Sequence, residues 1–122
     1  MLIIRDEQMD VLRAHMRRQY EQRIVKHLRE KFPDRTKDLP DKRIRDAVQN
    51  SMKKAESYGL EYEDDIRRFI EYLVIYGTKF DTQEETRWIG DILQRNDLDG
   101  TAKMDMIDNC EIEVLRRQIW LD

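Results

Sequence analysis

Ser57-Tyr58-Gly59-Leu60-Glu61-Tyr62-Glu63-Asp64-Asp65, followed by the run from Ile66 to Phe80 and closed by Asp81-Thr82, reads as a helix stop, an acidic helix start and the most apolar helix of the chain. Gly59 is placed as the left-handed residue after a helix, with Leu60 folding back as in a Schellman stop. Glu61, Glu63, Asp64 and Asp65 suit the positive end of the next helix dipole. Glu63–Arg67 and Asp64–Arg68 are i,i+4 pairs in the favourable order, each worth about a few tenths of a kcal/mol. Tyr62, Ile66, Phe69, Ile70, Leu73, Val74 and Tyr76 share one arc, while Tyr72 and Ile75 lie outside it. A helix apolar on more than one side is buried between neighbours. This stretch is therefore expected to be the central element of the fold.

The 122 residues are 40% charged and include only four glycines and two prolines. That composition favours helices with solvated charged faces over a β-sandwich, which needs many turn residues. The expectation is a single all-α domain over residues 1–122, a bundle of about five helices with a buried central helix near 62–76. The first helix is predicted from about Asp6 to Lys31, behind an apolar arm at 1–5 that docks on the body. Leu12, Met16, Tyr20, Ile24, Leu28 and Phe32 follow one another at intervals of four. Each interval turns the stripe by about 40°, so the two ends of this helix should face different neighbours. Phe32 before Pro33 ends it.

Pro40 opens a second helix, which runs to about Ser57 on Ile44, Val48 and Met52, beside the small residues Ala47, Ser51 and Ala55. Asp81 or Thr82 is expected to cap a fourth helix carrying Trp88, Ile89, Ile92 and Leu93. After the turn Asn96-Asp97-Leu98-Asp99-Gly100, Thr101 is expected to cap a fifth, with Met104, Ile107, Cys110, Val114 and Leu115.

Chemistry-bearing patterns are scarce. Asp97-Leu98-Asp99-Gly100 has the outline of a calcium loop, but Arg95 and Met106 stand where an EF-hand needs acids. His15 and His27 are twelve apart on one helix and point away from each other, and no CxxC or HExxH spacing occurs. Cys110 reads as a small core hydrophobe, and a single cysteine forms no internal disulfide, as suits a reducing cytoplasm. The acids Glu61 to Asp65 read as solvated charges at a helix start. No phosphate loop, nucleophile elbow or kinase signature is present. The reading is of a non-enzymatic protein without catalytic residues, cofactor or metal. Its alternative is a small helical enzyme or ligand-binding domain with a pocket lined by Tyr62, Tyr72 and Tyr76.

No apolar run approaches the length of about 20 residues that crosses a membrane. Met1-Leu2-Ile3-Ile4-Arg5-Asp6 is too short in its apolar part for a signal peptide. A cytoplasmic protein without membrane association is expected. Residues 1–60 carry 15 Lys/Arg against 10 Asp/Glu, and residues 61–122 carry 8 against 16. Such asymmetry steers a partner or holds two copies head to tail. Nucleic-acid binding by the basic half, with Arg13, Arg17, Arg18, Arg23, Lys26 and Arg29 on the first helix, is a further alternative. The helices around Gly59 even have a helix-turn-helix outline. It is disfavoured because the second helix would enter a groove behind four carboxylates, in a chain of pI about 5.5.

Within residues 39–93 the order of features is distinctive: a Leu39-Pro40-Asp41 helix start, a Tyr58-Gly59-Leu60 stop, an acidic restart, a helix ending Tyr76-Gly77-Thr78-Lys79-Phe80-Asp81-Thr82, and a helix with Trp88. This order resembles small, mostly uncharacterised bacterial all-helical proteins encoded beside type VI secretion and effector genes. The resemblance rests on Tyr58, Gly59, Gly77, Phe80, Asp81 and Trp88, while Lys79 and the lack of a proline after Asp81 depart from it. It implies a protein partner near a secreted effector, for an adaptor, chaperone or immunity protein. The residues expected to meet a partner are Arg13, Arg17 and Arg18 together with Ile119, Trp120 and Leu121. Apolar residues at both chain ends, Leu2, Ile3 and Ile4 at one and Ile119 to Leu121 at the other, make a homodimer an expectation as well.

Overall fold

The computed structural model describes residues 6–77, 79, 80 and 82–121. Among them are six helices and no strand: α1 (Asp6–Lys31), α2 (Pro33–Thr36), α3 (Asp41–Ser57), α4 (Glu63–Tyr76), α5 (Arg87–Leu93) and α6 (Gly100–Leu121). The fold is all-α, as the composition implies. The helix beyond the expected five is α2, a single turn. Pro33 occupies its first position, where a fixed φ and a missing N–H cost nothing. Two compact units make up the chain, Met1–Asn50 and Ser51–Asp122, with the boundary inside α3.

In the first unit α1 and α3 run antiparallel. Gln49 donates to Glu21 at 3.1 Å near one end and Arg29 donates to Asp41 at 3.0 Å near the other. Tyr20, Ile24, Leu28, Ile44 and Val48 are buried. The connection between the helices is held by Arg29, which also donates to the carbonyls of Thr36 and Leu39 at 3.0 and 2.8 Å. The expected early neighbour of α1 is not found among the described residues. Residues 13–19 are all exposed, and Met16 is 52% exposed. Two intervals of about 40° keep Tyr20, Ile24 and Leu28 within an arc that one helix covers. The stripe above them continues in sequence without cover.

The second unit is organised around α4. Asp65, Ile66 and the unbroken run Phe69-Ile70-Glu71-Tyr72-Leu73 are buried, and five consecutive residues pass around the whole helix. Tyr72, outside the sequence-predicted arc, is thus buried with the rest, whereas Ile75 is 42% exposed and Tyr62 69%. Phe69 is fully buried, its ring 5.5 Å from Phe80 and 6.1 Å from Tyr58. Met52, Ala55, Leu60, Ile89, Ile92, Leu93, Met104 and Ile107 complete the core of this unit.

The stop after α3 has the expected form. Gly59 has φ +85°, Leu60 N–H donates to the Ala55 carbonyl at 3.1 Å and Gly59 N–H to that of Glu56 at 3.0 Å, the paired bonds of a Schellman motif. Lys103 of α6 is itself buried and donates to the Tyr58 carbonyl at 2.6 Å, placing a cation at the negative end of α3. Gly100 permits this approach. A Cβ there would lie 2.7 Å from the Gly59 oxygen and 2.8 Å from the Leu60 Cα. Both are backbone atoms, which cannot rotate away. Gly100→Ala is therefore expected to cost about 2 kcal/mol, in the range of overpacked cores. It gains helix propensity at the same time, so a melt at or above wild type would show that the turn yields.

Two starts differ from expectation. Asp81 lies outside the described residues, and Thr82 bonds back to Lys79 through both its N–H and its hydroxyl, at 3.0 and 3.2 Å. The chain is thereby held in turns until Arg87. The Thr86 hydroxyl donates to the Phe80 carbonyl, tying the helix start to the aromatic cluster. At α6 the cap is Asp99, whose carboxylate accepts from Ala102 N–H at 2.8 Å. Thr101 is not free to cap, because it donates to Asp65.

Candidate functional site

The densest polar arrangement lies where α4 meets α6. Arg68 donates to Asp65 at 2.6 Å, to Asp105 at 2.9 Å and to Asp108 at 2.8 Å. The Thr101 hydroxyl donates to the other oxygen of Asp65 at 2.5 Å, and the Tyr72 hydroxyl to the other oxygen of Asp108 at 2.6 Å. These pairings advance together along both helices, so α4 and α6 run parallel. Asp65 is buried, against the expectation that the acids of this helix start are all solvated. Its side chain is 3% exposed, against 62% for Asp105 and 40% for Asp108.

Burial works against the Arg68 guanidinium, but its hydrogen bonds to the three aspartates outweigh burial and hold it above the ordinary arginine value. Burial, and then the contact with Asp108, push the Tyr72 hydroxyl above the ordinary tyrosine value. It stays a protonated donor. Arg68 Nε is buried and makes no hydrogen bond, so the guanidinium is spent on its three carboxylate contacts. One arginine thus faces three aspartates, and the surface they leave is negative.

The neighbouring arginine makes different pairs from those the sequence suggests. Arg67 binds Asp64 at 2.7 Å and the buried Glu71 at 2.8 Å. The hydrogen bond from Arg67, and then its charge, hold the Asp64 carboxyl below the usual range. The Arg68 cluster itself goes unread in the sequence, because its members lie 36 to 40 residues apart. A signal exists in hindsight: polar residues at 65, 68 and 72 of α4, and at 101, 105 and 108 of α6, each recur at intervals of three and four, which puts each set on one helix face.

Above this cluster α6 loses its cover. Ile107 is the last buried residue of α6 whose side chain is described, and none of 108–117 is buried. Burial, then the charge of Glu111, raise the Tyr76 hydroxyl. Residues 112–117 of α6 are exposed or half-buried. Ile112 is 50% and Leu115 48% exposed. At about 100° per residue they share one arc with Asp105, Asp108 and Glu111. The result is an apolar pair bordered by Glu111 on one side and Arg116 on the other.

Of the residues expected to meet a partner, Arg13, Arg17 and Arg18 are exposed on the bare part of α1. Ile119, Trp120 and Leu121 belong to the last turn of α6 by backbone, and their side chains lie outside the described residues, as do Leu2, Ile3 and Ile4. The three tyrosines of the pocket alternative do not line one site. Tyr62 is exposed before the first turn of α4, while Tyr72 and Tyr76 stack near the other end at 6.0 Å and 9°. His27 is half-buried and Cys110 likewise.

Among the described residues no group of His, Cys, Asp and Glu could hold a metal ion, and no helix is long and apolar enough to cross a membrane. An open groove of about 470 Å³ between α1 and α3 is lined by Lys26, Arg29, Glu30, Asp41 and Arg45 among others. Its walls mix both charges, and Arg29 and Asp41 are engaged with each other. The chain matches no protein-family model, no curated protein and no solved structure. The resemblance of residues 39–93 to proteins encoded beside type VI secretion genes gains no support from these comparisons.

Proposed function

We propose that this chain is a cytoplasmic, non-enzymatic protein-binding module of the adaptor, chaperone or immunity kind, whose partner is a bacterial effector or secretion component. The observation that carries the binding reading is the uncovered part of α6, where Ile112 and Leu115 lie half exposed on one arc of a continuous helix. Single exposed apolar side chains are ordinary, but neighbouring ones with a polar border mark interaction surfaces. An apolar stripe at i and i+3 is the pattern by which helices dock into grooves or on other helices. The link to effectors rests on the resemblance alone.

The test pairs capture with substitution. The intact chain, used as bait in extract of its host, should retain one dominant protein that re-forms a defined complex when purified. Leu115→Asp should melt within about 0.5 kcal/mol of wild type, since it changes an exposed position. The same variant should bind that partner about tenfold or more weakly, as loss of an apolar contact at an interface implies. Repeated recovery of no protein, or binding unaffected by Leu115→Asp and Ile112→Asp together, would overturn the reading.

A further inference from the structure

We propose that the groove between α1 and α3 receives an acidic segment of a partner protein, whose carboxylates meet Lys26 and Arg45. The inference rests on the protein-binding reading above but uses a surface of the first unit, whereas the strip of α6 belongs to the second. Two ties join the antiparallel helices, Gln49 to Glu21 and Arg29 to Asp41. Val25 on α1 and Arg45 on α3 each stand four residues from both ties, so they lie level with each other. Between the ties the groove opens to about 470 Å³, with Gln22 and Lys26 on one wall and Arg45 on the other. Val25 is half-buried between them, while Gln22, Lys26 and Arg45 are exposed. Among the described residues neither Lys26 nor Arg45 makes an ion pair.

The charge around the groove selects the occupant. Residues 13–31 carry seven Lys/Arg against two Asp/Glu. Of the two acids, Glu21 is buried and accepts from Gln49, which leaves Glu30. Across the groove Asp41 is held by Arg29 at 2.5 Å. Arg18, exposed one turn beyond Gln22, continues the basic face. With the Arg29–Asp41 pair set aside, Arg18, Lys26 and Arg45 stand against Glu30 alone. Such a surface attracts and orients carboxylates. Nucleic acid is the other polyanion that a basic face suits, but a phosphate chain is charged at every residue and would meet Glu30 and Asp41 at the end of the groove. A protein segment avoids that conflict. It sets carboxylates against Lys26 and Arg45, an apolar side chain on Val25 and an uncharged residue opposite Glu30.

Fluorescence anisotropy on the intact chain tests this, with a labelled oligoglutamate peptide, an oligoglutamine of the same length and a short DNA duplex as probes. Oligoglutamate should bind at least about tenfold more tightly than oligoglutamine, and should weaken near 1 M salt, where the screening length falls to about 3 Å. Lys26→Glu/Arg45→Glu should weaken it about tenfold or more, since two attractive contacts become repulsive. Lys37→Glu/Arg43→Glu makes the same change in net charge away from the groove, Arg43 lying about 160° round α3 from Arg45. That variant should bind within about twofold of wild type. Melting curves establish that both are folded, and Lys26→Gln/Arg45→Gln replaces the first pair if it is not. Absence of oligoglutamate binding overturns the inference, as does equal weakening by the two pairs or tighter retention of the duplex. A chain that ignores oligoglutamate, yet loses a captured protein through Leu115→Asp, refutes the groove and leaves the binding reading standing.

Discussion

Leu73→Asp is expected to abolish the cooperative thermal transition and leave the chain without a folded second unit. Leu73 is 7% exposed and closes the buried run of α4. Removing it from the core forfeits about 2–3 kcal/mol of apolar burial. The carboxylate that replaces it would be buried, and an unpaired buried charge costs several kcal/mol more unless it takes up a proton. Together these approach the whole stability of an ordinary domain, about 5–15 kcal/mol. An aspartate in the last turn also faces the negative end of the helix dipole, at up to about 1 kcal/mol.

Ile75→Asp separates these contributions. It lies two residues further along the same turn, meets the same dipole, and is 42% exposed. Its cost should stay near 1 kcal/mol. Circular dichroism melts of the two variants side by side check the contrast. If Leu73→Asp remains soluble and melts like Ile75→Asp, α4 is not the core element that its burial makes it.

That contrast also marks what the sequence discloses. The stop at Gly59 and Leu60 is legible because a Schellman motif is written within six residues, from Ala55 to Leu60. The ends of α1 and α3 are legible for the same reason, with Pro33 and Pro40 as punctuation. Periodicity identifies the face a helix would bury, but it says nothing about where the cover stops. Met16 continues the stripe of Tyr20, Ile24 and Leu28, and Leu115 sits on the helix that buries Met104 and Ile107, yet Met16 and Leu115 are both half exposed. The expected cap at Asp81 or Thr82 puts the start of α5 too early, because the Thr82 and Thr86 hydroxyls serve the turns around Phe80. Local pairing rules put Arg68 with Asp64 on one helix surface. The fold brings it Asp65 one turn back and two aspartates from α6, partners that no spacing rule within α4 could supply.

Arg68→Ala is the variant that weighs this cluster, and it should cost about 3 kcal/mol, as expected when a buried ion pair loses one member. The loss is unequal among the three aspartates. Asp105 and Asp108 reach water, where exposed pairs are worth about 0–1 kcal/mol. Asp65, with a side chain only 3% exposed, keeps the Thr101 hydroxyl and loses the Arg68 guanidinium. Most of the cost is therefore the stranded Asp65 charge, and it should be recoverable without restoring the arginine. Asp65→Asn in the Arg68→Ala background removes that charge and keeps an oxygen for Thr101. The double variant should regain about 1–2 kcal/mol over Arg68→Ala, a coupling of the size that contacting residues show. Urea titrations of the four proteins in this cycle measure it. Additive effects would mean that Arg68 holds α4 to α6 through Asp105 and Asp108, at the solvent-facing edge, and that Asp65 is satisfied by Thr101 alone.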